Sequence, residues 1–400
     1  MAKSDKQFDR REFLGRVSAG AAGASLVLSR EAMAAPSGAG GLEKRNEQSG
    51  MTYRPLGKTN LNVSRLSMGS LGLSDESIPV LEMAVERGVN LVHISESYGR
   101  GIAMAALGKY LKAAGNRDKV WIALKGDRGV VAADVEKHLR MLNTDHVDVI
   151  CSPLSDPDQI RKSESQKEVF EALKKAGKVR FLNLTTHTSP EASMVAGLDA
   201  GWYDNIVAVV DLSNVKQFQP VLERANKMNI GIVAMKTMRG GGSKGGRGGR
   251  GGAEAGGAAA APTPDKIAAA VLGAGVTTIL KGMRTREDVE GWLAAVTKAE
   301  KASAFIPGEC DVALAGVCTL CGECDGCPNG VAIQDVIRNY TYYYEQQGLP
   351  EVAAERYGEL RVGETALSCG DCGRCEERCP MKVPVRRIIR EAHARLGTLA

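Results

Sequence analysis

From Ser64 to Leu280 the chain alternates short, almost continuously apolar runs with longer stretches whose apolar positions recur every three or four residues. The apolar runs are Ser64–Met68, Leu91–Ser95, Val120–Leu124, Val147–Cys151, Val179–Leu184, Ile206–Asp211, Gly231–Met235 and Thr277–Leu280, and they predict strands. They lack the strict alternation of a sheet with one wet face, so both faces are expected to be covered. Helical periodicity marks Ile78–Arg87, Ala132–Leu142, Ser165–Ala176 and Phe218–Lys227, and a helix over Arg286–Ala302 closes the series. Eight strand–helix units over roughly 250 residues predict an α/β fold, a closed (β/α)8 TIM barrel, spanning 52–304. An open doubly wound sheet is the alternative. It is disfavoured because no Gly-x-Gly-x-x-Gly turn follows an early strand.

Beyond the barrel, residues 305–400 form a second unit in which Val331–Gln347, Pro350–Leu360 and Pro384–Leu396 predict helices. The last is basic and is expected to close this small, mostly α-helical module with its arginines in solvent. Tyr340, Tyr342, Tyr343 and Tyr344 crowd the first helix. Packing the module against the barrel is their expected role, with an electron path as the alternative.

The segment 239–262, RGGGSKGGRGGRGGAEAGGAAAAP, interrupts the order after the seventh strand. Its glycine content reads as a flexible loop. Arg-Gly steps can bind RNA, but a net charge of +5 over 400 residues gives no case for a nucleic-acid partner. At the other end, Arg10-Arg11 precede an apolar run, Val17–Leu28, followed by Ala32-Met33-Ala34. The run is about a dozen residues, short of the ~20 needed for a stable membrane span. Residues 1–34 resemble a twin-arginine export signal, with 35–51 as linker. That resemblance implies passage through the Tat translocase with cofactors already in place, and a periplasmic or exported destination. The alternative is an Ala/Gly-rich tail with a chance arginine pair.

Cysteine use changes the picture most. Of ten cysteines, only Cys151 lies outside the stretch from Cys310 to Cys379. Cys318, Cys321, Cys324 and Cys327 follow one another at two-residue gaps and end in Pro328. Cys369, Cys372, Cys375 and Cys379 form a second run, with three residues before the last cysteine and Pro380 after it. Three thiolates two residues apart can wrap three corners of one cubane, and a displaced fourth followed by proline can reach another. The second run has the bacterial ferredoxin spacing. The expectation is a ferredoxin-like module with two [4Fe–4S] clusters. One is held by Cys318, Cys321, Cys324 and Cys379, the other by Cys369, Cys372, Cys375 and Cys327. The two-residue gap before Cys327 departs from the pattern, and tetrahedral zinc is the alternative metal. Cys310 reads as a bystander and Cys151 as a small buried hydrophobe.

Several segments of the predicted barrel resemble the aldo/keto reductase family: Tyr53-Arg54-Pro55-Leu56-Gly57-Lys58-Thr59, Gly88-Val89-Asn90 with Tyr98-Gly99, Gly177-Lys178-Val179-Arg180, and Val233-Ala234-Met235-Lys236. The C-terminal cysteine module recurs in one branch of that family. The resemblance implies carbonyl reduction with NADP(H). A tyrosine gives the proton, a lysine lowers its pKa, an aspartate pairs with the lysine, and a histidine orients the carbonyl. Tyr98 matches the tyrosine and Lys125 the lysine, but the aspartate position holds His93 and the histidine position falls near Pro153. Of the nucleotide pocket, Thr185, Thr186, Lys236, Gly282 and Arg284 remain, while a glutamine position reads Val207 and a Glu-Asn pair reads Gly291-Trp292. His93 or Glu96 is expected to take over missing roles, and His187 to contact a ligand. His138, His146 and His393 read as structural. The implied function is an oxidoreductase moving electrons between a small carbonyl substrate or nicotinamide and a redox partner protein. The alternative is a noncatalytic electron-transfer subunit on a degenerate barrel.

Overall fold

The computed structural model describes residues 41–126, 129–238, 263–301, 316, 318, 321–346 and 348–398. The proposed signal, Cys310 and the Gly-rich 239–262 segment lie outside the described residues. Eight parallel strands close into a barrel: β1 Leu66–Gly69, β2 Leu91–Ser95, β3 Trp121–Lys125, β4 Val149–Pro153, β5 Phe181–Thr185, β6 Asn205–Val209, β7 Gly231–Met235 and β8 Thr278–Gly282. β8 closes on β1 through pairs from Ile279 with Leu66 to Gly282 with Gly69. The outer helices are α1 Ile78–Glu86, α2 Ile102–Lys112, α3 Ala132–Met141, α4 Glu164–Lys175, α5 Pro190–Ala200, α6 Gln219–Lys227, α7 Pro264–Gly273 and α8 Arg286–Lys301.

The strand sequences are apolar on both sides because the barrel has two cores. Leu91, Ala123, Val149, Cys151, Val207, Val209, Val233 and Met235 fill the interior. Val92, Ile94, Ile122, Leu124, Ile150 and Leu184 face the helices. Each fully buried side chain of this kind contributes about 1.5–3 kcal/mol. Cys151 is completely buried in the interior, and burial pushes its thiol up to about 12. The first strand starts later than its apolar run suggests. Asn62–Ser64 pairs antiparallel with Tyr53–Pro55, and Arg65 turns inward to cap the carbonyls of Val276 at 2.6 Å and Thr277 at 2.8 Å. Leu56, Leu61 and Val63 of this segment plug the N-terminal end of the barrel.

Asp148, fully buried at the same end, is held by Arg117 at 3.0 Å, Arg180 at 3.2 Å and the Ile122 N–H at 2.9 Å. Burial alone would push its carboxyl up, but Arg117 and Arg45 outweigh it and hold the group below the usual carboxylate range. This end of the barrel is a stability device.

The module has its own apolar centre of Val331, Ile333, Val336, Ile337, Tyr340, Ala353, Tyr357, Val383, Val385, Ile389, Ala392 and Leu396. Its first helix, α9, begins as α-helix over Ile333–Ile337 and continues as π-helix over Arg338–Gln346, where a single α-helix is predicted. Then come α10, Pro350–Gly358, and α11, Val385–Leu396. α11 buries Val385, Ile389, Ala392 and Leu396 along one stripe and leaves its arginines on the other faces. Among the described residues no helix is long and apolar enough to cross a membrane.

Candidate functional site

Strand parity decides which side chains reach the barrel mouth. Leu91 and His93 alternate inward on β2, Ala123 and Lys125 on β3, Val149, Cys151 and Pro153 on β4, and Phe181 and Thr185 on β5. Register aligns their ends, with Ser95 opposite Lys125 and Pro153 opposite Thr185. Tyr98 follows β2 in a turn where Gly99, Arg100 and Gly101 are all left-handed, at φ 62, 51 and 93°. Glycine adopts that conformation freely; Arg100 stores strain there.

At this end lies a cavity of about 170 Å³. His93, Tyr98 and His187 form part of its wall, and Lys236, Lys281 and Arg284 bring positive charge to it. Gly282, Thr237 and Asp288 also line it. The remaining wall is not barrel at all: Tyr342 and Tyr343, from the π-helical part of α9, reach into the mouth. Lys236, left-handed at φ 57° directly after β7, places its Nζ 4.4 Å from the centroid of the Tyr342 ring, a cation–π contact. Lys125 is not part of the wall; its Nζ lies 5.4 Å from the centroid of the Tyr98 ring.

The electrostatics favour neutral groups. Burial, with Tyr343 and Tyr342 adding to it, pushes the Tyr98 hydroxyl well above its ordinary range, so it holds its proton. Burial and then Lys125 push His93 down to about 3, so it is neutral and no substitute for a carboxylate. His187 is also held well below its ordinary value by burial, Lys236 and Lys125. Glu96 is committed elsewhere, its carboxylate bound to Lys137 and, at 2.7 Å, to His138. Thr185 and Thr186 stand outside the cavity wall. Their hydroxyls donate to Asn183 Oδ1 at 2.8 Å and to the Thr188 carbonyl at 3.2 Å.

In the module, Cys318, Cys321, Cys324 and Cys379 ring one cavity with Ile337, Met381, Val383 and Val385. Cys327, Cys369, Cys372 and Cys375 ring a second, and Cys324 borders both. None of the eight is joined in a disulfide among the described residues. The Val383 N–H donates to Cys379 Sγ at 3.4 Å. Among the described residues no three His, Cys, Asp or Glu side chains are placed to hold a single metal ion. Arg386 pins the second cysteine loop, contacting Asp371 at 3.0 Å and Glu376 at 2.7 Å. Gly322, between the first two cysteines and the third, sits so close to the barrel that an added Cβ would lie 2.5 Å from Ser189 Oγ.

Tyr342 and Tyr343, expected to pack the module against the barrel, do meet it and also line its cavity. Thr237, Lys281 and Asp288 were passed over, and no local pattern marks them. Residues 66–259 match the family model described as the aldo/keto reductase family. The aldo-keto reductase YhdN of Bacillus subtilis (strain 168) is 27% identical over 34% of this chain and 47% of its own length. The chain thus spans about half the length of that curated relative. The holo form of aldo-keto reductase AKR11C1 from Bacillus halodurans superposes with a TM-score of 0.50 at 19% identity, over 65% of this chain and 94% of that one. Its apo form gives a TM-score of 0.47 at the same identity. Over residues 66–259 the barrel of this chain is similar to the aldo/keto reductase family, and the structural likeness is one of fold.

Proposed function

We propose that the protein is an exported iron–sulfur oxidoreductase of aldo/keto reductase type. One observation carries this reading: a single helix, α9, contributes Ile337 to the wall of the first cysteine cavity and Tyr342 and Tyr343 to the wall of the barrel cavity. The two sites are therefore built as one unit.

The donor sets fit [4Fe–4S] clusters: two groups of four thiols, each around an enclosed space, with an N–H directed at one sulfur. Zinc would need four sulfurs about 2.3 Å from one atom. Lys236, Lys281 and Arg284 suit the phosphates of NADP(H), although Thr185 and Thr186 already hydrogen-bond within the protein. When bound, the clusters supply one-electron transfer and the nicotinamide supplies hydride. The chain's own contribution at the barrel mouth is the proton. Tyr98 keeps its hydroxyl protonated and gives that proton to the oxygen of a small carbonyl as its carbon gains hydride, leaving an alcohol. A redox partner protein exchanges electrons at the module. The Arg10-Arg11 segment directs export through the Tat translocase to the periplasm.

The test is anaerobic turnover of a small aldehyde with NADPH by the full chain. Tyr98→Phe is expected to lower kcat by about 100-fold or more while leaving the iron–sulfur EPR signal intact. An unchanged rate contradicts the reading. A second reading, a noncatalytic electron-transfer subunit, is favoured by Pro153 and His93 at two family catalytic positions and by tyrosines at the mouth. It predicts intact clusters with no turnover.

A further inference from the structure

Two side-chain atoms at the barrel cavity are buried and make no hydrogen bond among the described residues: His187 Nδ1 and Thr237 Oγ1. A buried polar atom left unpaired is costly compared with one that is paired or replaced by carbon. Two of them at one cavity imply a partner that enters it. They come from nearby parts of the rim, with only β6 between their strands: His187 two residues past the end of β5 and Thr237 two past β7. The His187 N–H donates to Ser155 Oγ at 2.8 Å, and Thr237 follows the left-handed Lys236.

The register shows what His187 adds. Pro153 ends β4 opposite Thr185 of β5, and proline offers no side-chain hydrogen bond. His187 lies just beyond Thr185, so the imidazole supplies a polar group at the side of the mouth that β4 leaves without one. Burial, Lys236 and Lys125 keep that imidazole uncharged. A neutral ring can donate one hydrogen bond without bringing a competing charge to the mouth.

We propose that His187 Nδ1 and Thr237 Oγ1 are substrate contacts. His187 positions the carbonyl oxygen for Tyr98, and Thr237 binds a second oxygen, so the site selects small hydroxy-carbonyl compounds over simple aldehydes. The inference rests on the reductase reading for its substrate class, and on the two unpaired atoms for its location. A site built to hydrogen-bond a hydroxyl strongly rejects the analogue lacking it.

The probes are 3-hydroxybutanal and butanal, assayed with NADPH on the full chain carrying its clusters. Wild type is expected to prefer 3-hydroxybutanal by at least about 10-fold in kcat/KM, and Thr237→Val to erase that preference. His187→Leu is expected to lower kcat/KM for both aldehydes by about 10- to 100-fold, with His187→Asn, which keeps a donor near Nδ1, recovering part of it. Wild-type turnover that His187→Leu leaves unchanged, or a preference that survives Thr237→Val, overturns the assignment. The thermal midpoint of the substrate-free protein gives a readout independent of turnover. Removing an unpaired buried polar atom should raise it in both His187→Leu and Thr237→Val, as binding sites exchange stability for function. If neither aldehyde is turned over by wild type, the reductase reading fails. The two residues then stand as ligand contacts if both midpoints rise and fall if either does not.

Discussion

At the position where the family resemblance implies a carboxylate, His93 is 7% exposed and close enough to Lys125 to feel its charge. Its folded pKa is about 3, against an unfolded value near 6.5. The unfolded chain therefore binds the proton first. The contribution of neutral His93 is complete above pH 6.5 and is lost as pH falls toward 3, at about 1.4 kcal/mol per pH unit. All three tryptophans, Trp121, Trp202 and Trp292, lie in the barrel, so their fluorescence reports its unfolding. Denaturant titrations at pH 6.5 and 5.5 should show a smaller acid loss in His93→Leu than in wild type; equal losses would refute the assignment. Asp148 makes the opposite case. Removing its charge with Asp148→Asn leaves Arg117, Arg180 and Arg45 facing a neutral group and should destabilise the barrel by about 3–5 kcal/mol. A denaturation midpoint close to wild type would show that the arginines relax into water instead. Neither effect was legible in the sequence. His93 stood out only through the family position it occupies, and Asp148 looked like one polar residue in an apolar strand.

At the scale of elements, the strands were legible because enclosure makes both faces apolar, and all eight appear close to their predicted places. The exception, β1, shows what periodicity misses: Ser64 and Arg65 look continuous with Leu66, but Arg65 must bend the chain to reach the carbonyls of the last helix–strand unit. The tyrosine-rich helix shows the other limit. Its π winding changes the rotation per residue, so a 3.6 period cannot tell which tyrosines face the module and which face the barrel. Tyr340 and Tyr344 stack within the module at 5.5 Å, whereas Tyr342 and Tyr343 meet edge-on at 5.1 Å and enter the mouth. At this docking Gly322 comes close to Ser189, so that an added Cβ would lie 2.5 Å from its Oγ. Gly322 also has φ 96°, so a side chain there is strained as well as crowded. Gly322→Val should loosen the module from the barrel, exposing the Tyr342–Tyr343 segment to faster amide exchange while α1–α8 stay protected. Unchanged exchange in that segment would mean the contact does not hold the docking.

At the scale of the whole molecule, a (β/α)8 barrel and a cysteine module meet at one helix and one cavity wall. The cysteine runs stand out in the sequence, since their spacing is a local pattern. The crossing of Cys327 and Cys379 between the two groups could be expected only from an analogy of spacing, and the short gap before Cys327 put it in question. In the structure both residues stand at the cavities of the opposite runs. The reason is visible in the fold. α11 packs against α9, with Ile389 in the same apolar centre as Ile333 and Ile337, which brings the end of each run back to the start of the other. The barrel chemistry was less legible because its determinants are spread over strand ends far apart in the chain, and one wall comes from the module.

The most direct test is to purify the full chain anaerobically and measure iron, acid-labile sulfide and the EPR of the reduced protein, for wild type, Cys318→Ala, Cys327→Ala, Cys369→Ala and Cys379→Ala. Two cubanes predict about eight irons per chain. They also predict that Cys379→Ala perturbs the same cluster signal as Cys318→Ala, and Cys369→Ala the same signal as Cys327→Ala. Zinc in place of iron, or a Cys379→Ala signal that matches Cys369→Ala instead, would contradict the two-cluster arrangement on which the account rests.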